Sequence, residues 1–335
     1  TSRIYLITII TMSILVLKFG GTSVASVELI ESAAKIVKSE YEAGNNRGVV
    51  VSAMSGATNL LIDHVNKINY DDDSEYDVVV SSGEQVTAGL MSICLNKLGV
   101  PSRSWMGWQI PIITSDSHRN AVIKRVIPDA ILKNFDDKKV AVVAGFQGIS
   151  SDGRITTIGR GGSDNTAVYI AAALNAERCD IYTDVDGVYT SDPKMTKNVK
   201  RLDKVSYEEM IEMASQGAKV LQTASVESAM KHDVDVNVRS TFNPKDMGTK
   251  ISNDIESDNQ AVTGVAYSKD EAKITLIDVE DKPGIAAKMF DCLSKNNINI
   301  EVISTSEIKI SVLINREKTE KAVSELHSTF NLDKI

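Results

Sequence analysis

The 335-residue sequence has few of the residues that build disulfide frameworks and metal centres. Its three cysteines, Cys94, Cys179 and Cys292, lie far apart and form no C-x-x-C pair. An odd number of widely spaced cysteines argues against a zinc site and fits a reducing compartment. The four histidines are equally scattered, and histidine chemistry requires assembled partners. We therefore expect each cysteine to be a small core residue, each histidine to be structural or at the surface, and the protein to be cytoplasmic.

An excess of positive charge and a long apolar run are also absent. The formal net charge of -8 argues against nucleic acid as the main partner, because nucleic-acid-binding proteins usually show a basic face. The apolar segment at residues 1–11 is shorter than the roughly 20 residues of a membrane-spanning helix, so we expect no membrane partner. Because Met12 begins the run MSILVLKFGG, we interpret residues 1–11 as a leader, a cloning remnant or a misassigned extension.

Four common catalytic signatures do not occur. The sequence has no G-x-x-x-x-G-K-[ST] phosphate loop, no protein-kinase catalytic-loop triplet, no G-x-S-x-G and no H-E-x-x-H. A protein with this sequence that uses a nucleotide must therefore hold the phosphates in another way.

The length suits two domains, and the first part of the chain has an α/β pattern. Apolar runs rich in branched residues alternate with segments that have helical spacing, which predicts a mainly parallel sheet covered on both faces. Such sheets bind ligands at the carboxyl ends of their strands. The predicted strands are residues 14–19, 48–53, 140–144 and 181–185, and the predicted helices are residues 28–41, 85–98, 121–132, 166–174 and 206–231, the last with a capping box at Ser206 and Glu209 and an interruption near Gly217.

The pattern changes after a polar segment, residues 243–264, which we interpret as a linker. Beyond it the order of elements is βαββα, which resembles the small ACT amino-acid-binding unit without its last strand. The predicted strands here are residues 273–279, 298–303 and 308–314, and the predicted helices are residues 284–295 and 317–330.

The segment KFGGTS at residues 18–23 offers one way to bind phosphate. Its glycines would let backbone N–H groups approach phosphate oxygens, and Lys18 would add a point charge. The alternative is an ordinary strand–turn–helix junction with a lysine at the surface.

The segment GRGGSD at residues 159–164 is a more specific signal. Its glycines precede a helix whose first N–H groups can bind an anion, and Arg160 can hold a carboxylate through two hydrogen bonds. The alternative is that Ser163 and Asp164 are only helix N-caps.

Three further segments place polar residues after predicted strands or at helix starts. DIYTDVDGVYTSDPK at residues 180–194 lacks the terminal Glu of a calcium loop, so we favour a nucleotide-lining loop in which Asp184 or Asp186 reaches magnesium indirectly. SSGEQ at residues 81–85 places Glu84 in the first turn of a helix, where an acid also complements the helix dipole. VSAMSG at residues 51–56 places small hydroxyl groups at a strand end, where a simple turn is the alternative.

Taken together, these segments resemble the aspartate kinase family in their order and spacing. The resemblance runs from about residue 12 to the end of the chain. It implies an α/β three-layer α/β/α sandwich, the amino acid kinase fold, at residues 12–242, a linker at residues 243–264, and an α+β, ferredoxin-like ACT regulatory region at residues 265–335. The matching segments are LVLKFGGTSV, VVVSAMSGATN, SSGEQ, VAGFQG, TIGRGGSDNTA, IYTDVDGVYTSDP, GAKVLQ and STSEIKISVLI.

The resemblance implies an ATP-dependent transferase that phosphorylates the side chain of L-aspartate, the first step of lysine, threonine and methionine biosynthesis. ATP and Mg²⁺ are the implied cofactors, with no direct protein ligand to the metal. Feedback by an amino acid, lysine before threonine, and a homo-oligomer formed through ACT pairing are also implied. Two alternatives stay open: another amino acid kinase that acts on glutamate or acetylglutamate, and a non-catalytic amino-acid-binding regulator.

Carried over position by position, the resemblance implies a role for each site residue. Lys18 and Asp164 would be catalytic, with Asp164 orienting Lys18, while Glu84 would bind the ammonium of aspartate and Arg160 its α-carboxylate. The full substrate-binding set is Ser52, Thr58, Glu84, Arg160, Gly161, Gly162 and Ser163. The ATP-binding set is Lys18, Phe19, Gly20, Gly21, Ser23, Thr183, Asp184, Tyr189, Asp192, Pro193, Lys194 and Lys219. The effector-binding set is Asp281, Gly284, Ala286, Ser304 and Thr305, of which the first three have helix capping as their alternative.

One feature departs from the family pattern. Members normally carry two ACT units, and here only about one unit follows the linker. Residues 273–300 resemble the first half of the first unit, and residues 303–330 resemble the second half of the second, with a join near Glu301. Either a deletion produced one hybrid unit, or a stretch near residues 300–302 is missing from the sequence. We expect the missing stretch.

Overall fold

The computed structural model describes residues 13–215, 220–253, 262–277, 279, 282–306 and 309–332. The chain divides into two compact units, Thr1–Ala266 and Tyr267–Ile335. Residues 1–11, which the sequence suggests are an extension, lie outside the described residues.

The first unit contains twelve strands and eight α-helices within the described residues. Its strands are β1 (Ile14–Phe19), β2 (Asn46–Val51), β3 (Ser102–Trp105), β4 (Ile112–Thr114), β5 (Ile123–Val126), β6 (Val140–Ala144), β7 (Gln147–Ile149), β8 (Ile155–Thr157), β9 (Arg178–Thr183), β10 (Lys204–Val205), β11 (Val236–Ser240) and β12 (Thr249–Ile251). Its helices are α1 (Val27–Glu42), α2 (Ala57–Ile68), α3 (Asp73–Val80), α4 (Ser82–Lys97), α5 (Asp129–Asp136), α6 (Gly162–Ala173), α7 (Tyr207–Ser215) and α8 (Thr223–His232).

The main sheet has eight strands in the order β10-β12-β11-β9-β1-β2-β6-β3. All pairings are parallel except that of β11 with β12. Successive residues of β1 point to opposite faces, so Val16 packs in one hydrophobic core while Leu17 and Phe19 pack in the other. Helices α1 and α4 cover one face and α5, α6, α7 and α8 the other. The predicted three-layer α/β/α sandwich is confirmed.

A second sheet, which the sequence did not indicate, has four strands in the order β5-β4-β7-β8. Strands β5 and β7 contact α6, and β8 contacts α3. The predicted helix at residues 121–132 is wrong because its first half is β5. Pro128 has no N–H group for a helix interior, and in the structure it lies at the N-cap of α5.

Two other predicted elements are displaced. Strand β9 begins at Arg178, not at residue 181, because residues 178–180 pair with β1 and the partly buried Arg178 neutralises the fully buried Asp180. The predicted linker at residues 243–264 contains β12, since Thr249 and Ile251 are buried in the main sheet. The capping box is confirmed: Glu209 N–H donates to Ser206 Oγ (3.1 Å), and Ser206 N–H donates to Glu209 Oε2 (3.0 Å).

The cysteines and one histidine show how the scattered residues are used. Cys94, Cys179 and Cys292 are all free and buried, as predicted. His118 Nδ1 lies 2.7 Å from a carboxylate oxygen of the fully buried Asp77.

The helical run Asp73–Lys97 is long and apolar enough in composition to cross a membrane, but 56% of its most apolar window is buried in the fold, as in a core helix.

Among its described residues, the second unit has three strands and two α-helices: β13 (Glu271–Ile277), α9 (Ile285–Lys295), β14 (Val302–Ser306), β15 (Lys309–Asn315) and α10 (Thr319–Thr329). The strands form an antiparallel sheet in the order β13-β15-β14. The predicted βαββα order is confirmed, but the strand predicted at residues 298–303 begins only at Val302. Ile298 instead closes helix α9, because its N–H donates to Leu293 O (3.0 Å).

The core of the second unit draws on both sides of the predicted join at Glu301. Ile274, Met289 and Leu293 come from before it, and Val312 and Leu326 come from after it. These side chains are 8% exposed or less, so the segments before and after Glu301 share one hydrophobic core.

Candidate active site

Lys18 lies in the centre of the main sheet, near the carboxyl end of β1. Strands β2 and β9 flank it and pair it with Val50 and Ile181. It is 7% exposed, so the interpretation of Lys18 as a surface lysine is wrong. A buried ammonium group needs a compensating charge. Asp164, in the first turn of α6, supplies that charge: its Oδ1 lies 2.5 Å from Lys18 Nζ.

The turn after β1 consists of two glycines, so its backbone beside this ammonium group is not covered by side chains. Gly20 N–H donates to Tyr182 O (3.1 Å), and a Cβ atom at Gly20 would lie 3.4 Å from Lys18 Nζ. A Cβ atom at Gly21 would lie 3.1 Å from Ala53 O, which is tighter than ordinary contact. The turn is therefore restricted to small residues at the position where a phosphate oxygen would approach Lys18.

Two predicted ATP-binding residues near this turn have internal partners. Ser23 is 1% exposed, and its hydroxyl lies 2.6 Å from Thr241 Oγ1 and donates to Tyr182 O (3.3 Å). The ring of Phe19 stacks on the ring of Tyr182 in the core, with centroids 4.9 Å apart. Ser23 thus ties the turn to the end of β11, and contact of either residue with ATP stays a prediction.

Glu84 lies in the first turn of α4, as predicted, and is 3% exposed. Its Oε1 accepts a hydrogen bond from Ala53 N–H (3.0 Å), while Oε2 is buried with no partner among the described residues. Burial raises the pKa of the Glu84 carboxyl to about 7, and the hydrogen bond from Ala53 and the charge of Lys18 oppose that rise. A buried carboxylate with one free oxygen is suited to an incoming cation.

Ser52 and Thr58 are close in sequence to Ala53, whose N–H binds this carboxylate. Ser52 follows the last residue of β2, and its N–H donates to Phe19 O (3.1 Å), which ties the ends of β1 and β2 together. Thr58 is in the first turn of α2, whose N-cap is Gly56 with φ +83°. Both residues therefore follow the carboxyl end of β2, at the same edge of the sheet as Lys18.

The GRGG loop leads directly into α6, which begins at Gly162. The N-cap is Gly161, with φ +71°, and no side chain caps the helix, so the interpretation of Ser163 and Asp164 as N-caps is wrong. A side chain at Gly161 would collide with Gln222, and a Cβ atom at Gly162 would lie 2.8 Å from the Phe146 ring. Arg160 is exposed at this loop. Since Asp164 contacts Lys18, Lys18 and Arg160 lie at the same end of α6.

Residues 145 and 146, which we did not predict as site residues, support this loop. A Cβ atom at Gly145 would lie 2.8 Å from Ser163 Oγ. Phe146 has φ +64°, and its N–H donates to Thr166 Oγ1 (3.2 Å), which itself donates to Gly162 O (2.7 Å). Their signal in the sequence is a Gly-Phe pair directly after the buried strand VAVVA.

The predicted nucleotide-lining residues follow β9, the neighbour of β1. Thr183 ends this strand, and its hydroxyl donates to Asp184 Oδ1 (3.1 Å). The Tyr189 hydroxyl donates to the Asp186 carboxylate (3.0 and 3.1 Å). Further along, Lys194 N–H donates to Asp192 Oδ1 (2.8 Å), and Pro193 and Lys194 are exposed. The loop therefore starts from the strand end beside Lys18.

The remaining predicted residues are distant in sequence. Lys219 and Asp281 lie outside the described residues. In the second unit, Gly284 has φ +100° and is the N-cap of α9, Ala286 packs against the core, and Ser304 and Thr305 are exposed on β14. Within the part of the chain that the structure describes, no three His, Cys, Asp or Glu side chains are grouped to hold a metal ion.

Comparison with known proteins agrees with this geometry. Residues 13–240 match the amino acid kinase family, and residues 274–330 match the ACT domain. Aspartate kinase from Pseudomonas putida is 46% identical over 328 residues, which cover 95% of this chain and 79% of that protein. Aspartate kinase from Pseudomonas fluorescens is 40% identical, covering 96% of this chain and 98% of that protein. The second match spans 407 aligned positions, so that relative contains residues inside the matched region that this chain lacks.

Solved structures show the same relationship. Aspartokinase III from E. coli in complex with aspartate and ADP has a TM-score of 0.77 and 29% identity, over 90% of this chain and 78% of that one. The same enzyme in complex with lysine and aspartate has a TM-score of 0.78 and 28% identity, over 94% of this chain and 83% of that one. The matches cover the sandwich with its Lys18–Asp164 pair as well as the second unit, and the chain belongs to the aspartate kinases of the amino acid kinase family.

Proposed function

We propose that this protein transfers the γ-phosphoryl group of ATP to the side-chain carboxylate of L-aspartate, giving 4-phospho-L-aspartate and ADP. A carboxylate oxygen of aspartate forms a bond to the γ-phosphorus while the bond from that phosphorus to the β,γ-bridging oxygen breaks, and ADP leaves with the electron pair. The side chain of aspartate has a pKa near ~3.9, so the nucleophile is already ionised at neutral pH. No general base is needed.

The single observation that carries the proposal is the buried Lys18–Asp164 pair at the start of α6. The difficulty of the reaction is repulsion, because an anion must approach a polyphosphate. A preorganised ammonium group in a site shielded from water stabilises the charge that develops on the transferring group. Asp164 would hold Lys18 in that position, and the bare backbone at Gly20 and Gly21 would let phosphate oxygens reach it. Mg²⁺ bound to ATP would supply further charge neutralisation.

Two residues would hold the substrate on the other side. Glu84 would accept the ammonium group of aspartate on its unpartnered Oε2, and Arg160 would bind the α-carboxylate. Ser52, Thr58, Gly161, Gly162 and Ser163 would line the same subsite. Thr183, Asp184, Tyr189, Asp192, Pro193, Lys194 and Lys219 would line the ATP subsite with the β1 turn.

The second unit would be regulatory. E. coli aspartokinase III has been solved with lysine and aspartate, which supports lysine as the feedback amino acid here, with threonine second. Asp281, Gly284, Ala286, Ser304 and Thr305 would form the effector site, and pairing of ACT units would give a homo-oligomer in the cytoplasm. The proposed boundaries are residues 12–242 for the sandwich and 265–335 for the ACT region, joined by residues 243–264, of which β12 belongs to the main sheet.

A coupled ADP-release assay with aspartate, glutamate or no amino acid tests the proposal. We expect ADP release that depends on aspartate, together with an acyl phosphate that hydroxylamine traps. Turnover with glutamate or acetylglutamate in place of aspartate would indicate a different amino acid kinase. Binding of amino acids without any ADP release would indicate a regulator, and would refute the proposal.

A further inference from the structure

A cross-link outside the predicted site joins two loops that leave neighbouring strands. The nucleotide loop, residues 184–194, follows β9, and the β11–β12 loop, residues 241–248, follows β11. Strands β9 and β11 pair in parallel, so both loops start at the same edge of the sheet. Arg201, just before β10, lies between them.

Arg201 contacts both loops through one nitrogen. Its Nη1 donates to Asp246 Oδ2 (2.6 Å) in the β11–β12 loop and to Asp186 O (3.2 Å) in the nucleotide loop. It also lies 3.7 Å from the Asp186 carboxylate, which is the group that accepts the Tyr189 hydroxyl. Arg201 therefore fixes both the backbone and the acid that orient Tyr189.

The acid partner is held in place on its own side. Asp246 Oδ1 accepts the N–H of Gly248 (2.9 Å), which leaves Oδ2 directed at Arg201. The hydrogen bond from Arg201 keeps the pKa of the Asp246 carboxyl below its ordinary value, so the partner is an anion at neutral pH. The pair is about three-quarters buried on both sides, where a charged hydrogen bond is stronger than at an open surface.

The nucleotide loop is shaped to admit this cross-link. Gly187 has φ +147°, and a Cβ atom there would lie 2.5 Å from Thr249 Oγ1 and 2.8 Å from Arg201 Cδ. Thr249 Oγ1 accepts the N–H of Val188 (2.8 Å) and donates to Leu202 O (2.6 Å). Glycine at position 187 lets the Arg201 side chain and the Thr249 hydroxyl reach across the loop.

Arg239 anchors the β11–β12 loop from beneath. It is 2% exposed, and it donates to Pro244 O (2.7 Å), Asp246 O (3.2 Å) and Asp180 Oδ2 (2.8 Å). Asp180 belongs to β9, the strand from which the nucleotide loop emerges. The cross-link is therefore tied to the rigid centre of the sheet and not to another loop.

We propose that Arg201 and Asp246 are positioning residues for ATP: they hold the nucleotide loop, and Tyr189 in particular, in the conformation that binds the nucleotide. This inference rests on the proposed function of residues 183–194. Neither residue touches the reacting atoms in this arrangement. Their loss would weaken ATP binding because the loop would have to become ordered on binding, while aspartate binding and the chemical step would be spared.

The test compares Arg201→Met, Arg201→Lys and Asp246→Asn with the wild type by KM for ATP, KM for aspartate, kcat and the thermal shift that ADP produces. Arg201→Met removes the side-chain hydrogen bonds to both loops and leaves the backbone hydrogen bonds between residues 188–190 and 200–202 in place. Asp246→Asn keeps the acceptor for Gly248 but turns an NH₂ group toward Arg201. Lys250→Met is the matched control. Lys250 lies on neighbouring β12, and its ammonium group pairs with Asp235 at 2.6 Å and contacts neither loop.

We expect KM for ATP to rise about tenfold in Arg201→Met and Asp246→Asn, with KM for aspartate and kcat within about twofold of wild type. Arg201→Lys should have an intermediate KM for ATP, because lysine keeps the positive charge but cannot donate to both loops at once. A double variant that combines Arg201→Met with Asp246→Asn should have a KM for ATP no higher than that of the weaker-binding single variant, since each substitution breaks the same ion pair. The control should leave all kinetic constants unchanged.

Two outcomes overturn the inference. If the variants lose thermal stability while KM for ATP stays at the wild-type value, the pair is only structural. Should Arg201→Met fail to fold, Asp246→Asn alone distinguishes the two roles. If both Michaelis constants rise together, the pair does not act on the ATP subsite. If the wild-type protein releases no ADP with aspartate, the proposed function itself is refuted, and the positioning role is refuted with it. This outcome is distinct from the two above, in which the wild type is active.

Discussion

Lys18 Nζ lies 2.5 Å from Asp164 Oδ1 and so joins the central strand of the sheet to the first turn of α6. The pair connects two segments that lie more than 140 residues apart in the sequence, and it brings the strand end that carries the KFGG turn to the helix that follows the GRGG loop. Asp164 is the counter-ion that lets an ammonium group remain charged at 7% exposure.

Lys18→Ala should lower kcat by a factor on the order of 10³, because it removes the buried cation that faces the transferring phosphoryl group. The far-UV circular dichroism spectrum should stay that of the wild type. Lys97→Ala is the control, since it removes a largely exposed lysine that pairs with Glu31 at 2.8 Å. Near-normal turnover in Lys18→Ala would refute the catalytic role.

Arg160→Ala should raise KM for aspartate by about tenfold or more while KM for ATP changes little, because the exposed guanidinium pairs with no carboxylate among the described residues and is available to that of aspartate. Steady-state kinetics with each substrate varied in turn would measure this difference. An unchanged KM for aspartate would remove Arg160 from the substrate site.

The pKa of Glu84 near 7 predicts a pH dependence of substrate binding. KM for aspartate should fall as the pH rises from 6 to 8, because only the ionised carboxylate attracts the ammonium group of the substrate. Glu84→Gln should bind aspartate weakly and show no such change. A KM for aspartate that is flat in the wild type across this range would contradict the prediction.

The same group predicts the pH dependence of stability. The unfolded chain loses the Glu84 proton near pH 4.5, while the folded protein keeps it to about pH 7. Between these values the native state binds more protons than the unfolded state, so the contribution of Glu84 to the free energy of unfolding falls as pH rises and stays low above pH 7. Urea unfolding at pH 5 and pH 8 should show wild type losing stability relative to Glu84→Gln. An equal change in both proteins would argue against the burial cost.

Gly145→Ala should raise KM for aspartate and destabilise the protein by about 1–3 kcal/mol, because the new methyl group would lie 2.8 Å from Ser163 and displace the start of α6. Gly89→Ala, in the middle of α4, is the control. Apart from its chain neighbours and its own helix backbone, nothing lies within 4 Å of its Cβ position, so we expect the free energy of unfolding to rise by about 0.4–1 kcal/mol. Thermal denaturation and aspartate kinetics on both variants would test the contrast. Wild-type behaviour of Gly145→Ala would show that the GRGG loop does not depend on this packing.

Local pattern was sufficient where one physical effect dominates a segment. Strands β1 and β6 have the bounds that their apolar runs predict, because a buried strand of a parallel sheet needs an uninterrupted apolar sequence. The capping box at Ser206 and Glu209 is satisfied by hydrogen bonds within four residues, so it too could be predicted. The polar residues of the KFGGTS, VSAMSG and DIYTDVDG segments are predicted at strand ends, and the structure places them at the ends of β1, β2 and β9.

Local pattern was misleading where partners come from far along the chain. Residues 123–126 lie in a segment with helix-like spacing but form a strand because β4 pairs with them. Arg178 and Asp180 look like surface residues, yet they are partners inside the fold. The roles of Gly145, Phe146 and Thr241 depend on packing against α6 and the β1 turn. The Gly-Phe pair after the buried strand VAVVA is a local signal for the first two residues, but it does not show these contacts.

The sequence alone determined the α/β class, the family resemblance and the chemical types of the site residues, because these depend on residue identity and on short-range spacing. Only the tertiary structure decided which charges meet: that Lys18 is buried against Asp164, that Glu84 keeps one oxygen free, and that Arg201 ties two loops together. The physical reason is that burial and pairing are set by parallel strands whose ends converge from distant parts of the chain, and a one-dimensional pattern does not contain those distances.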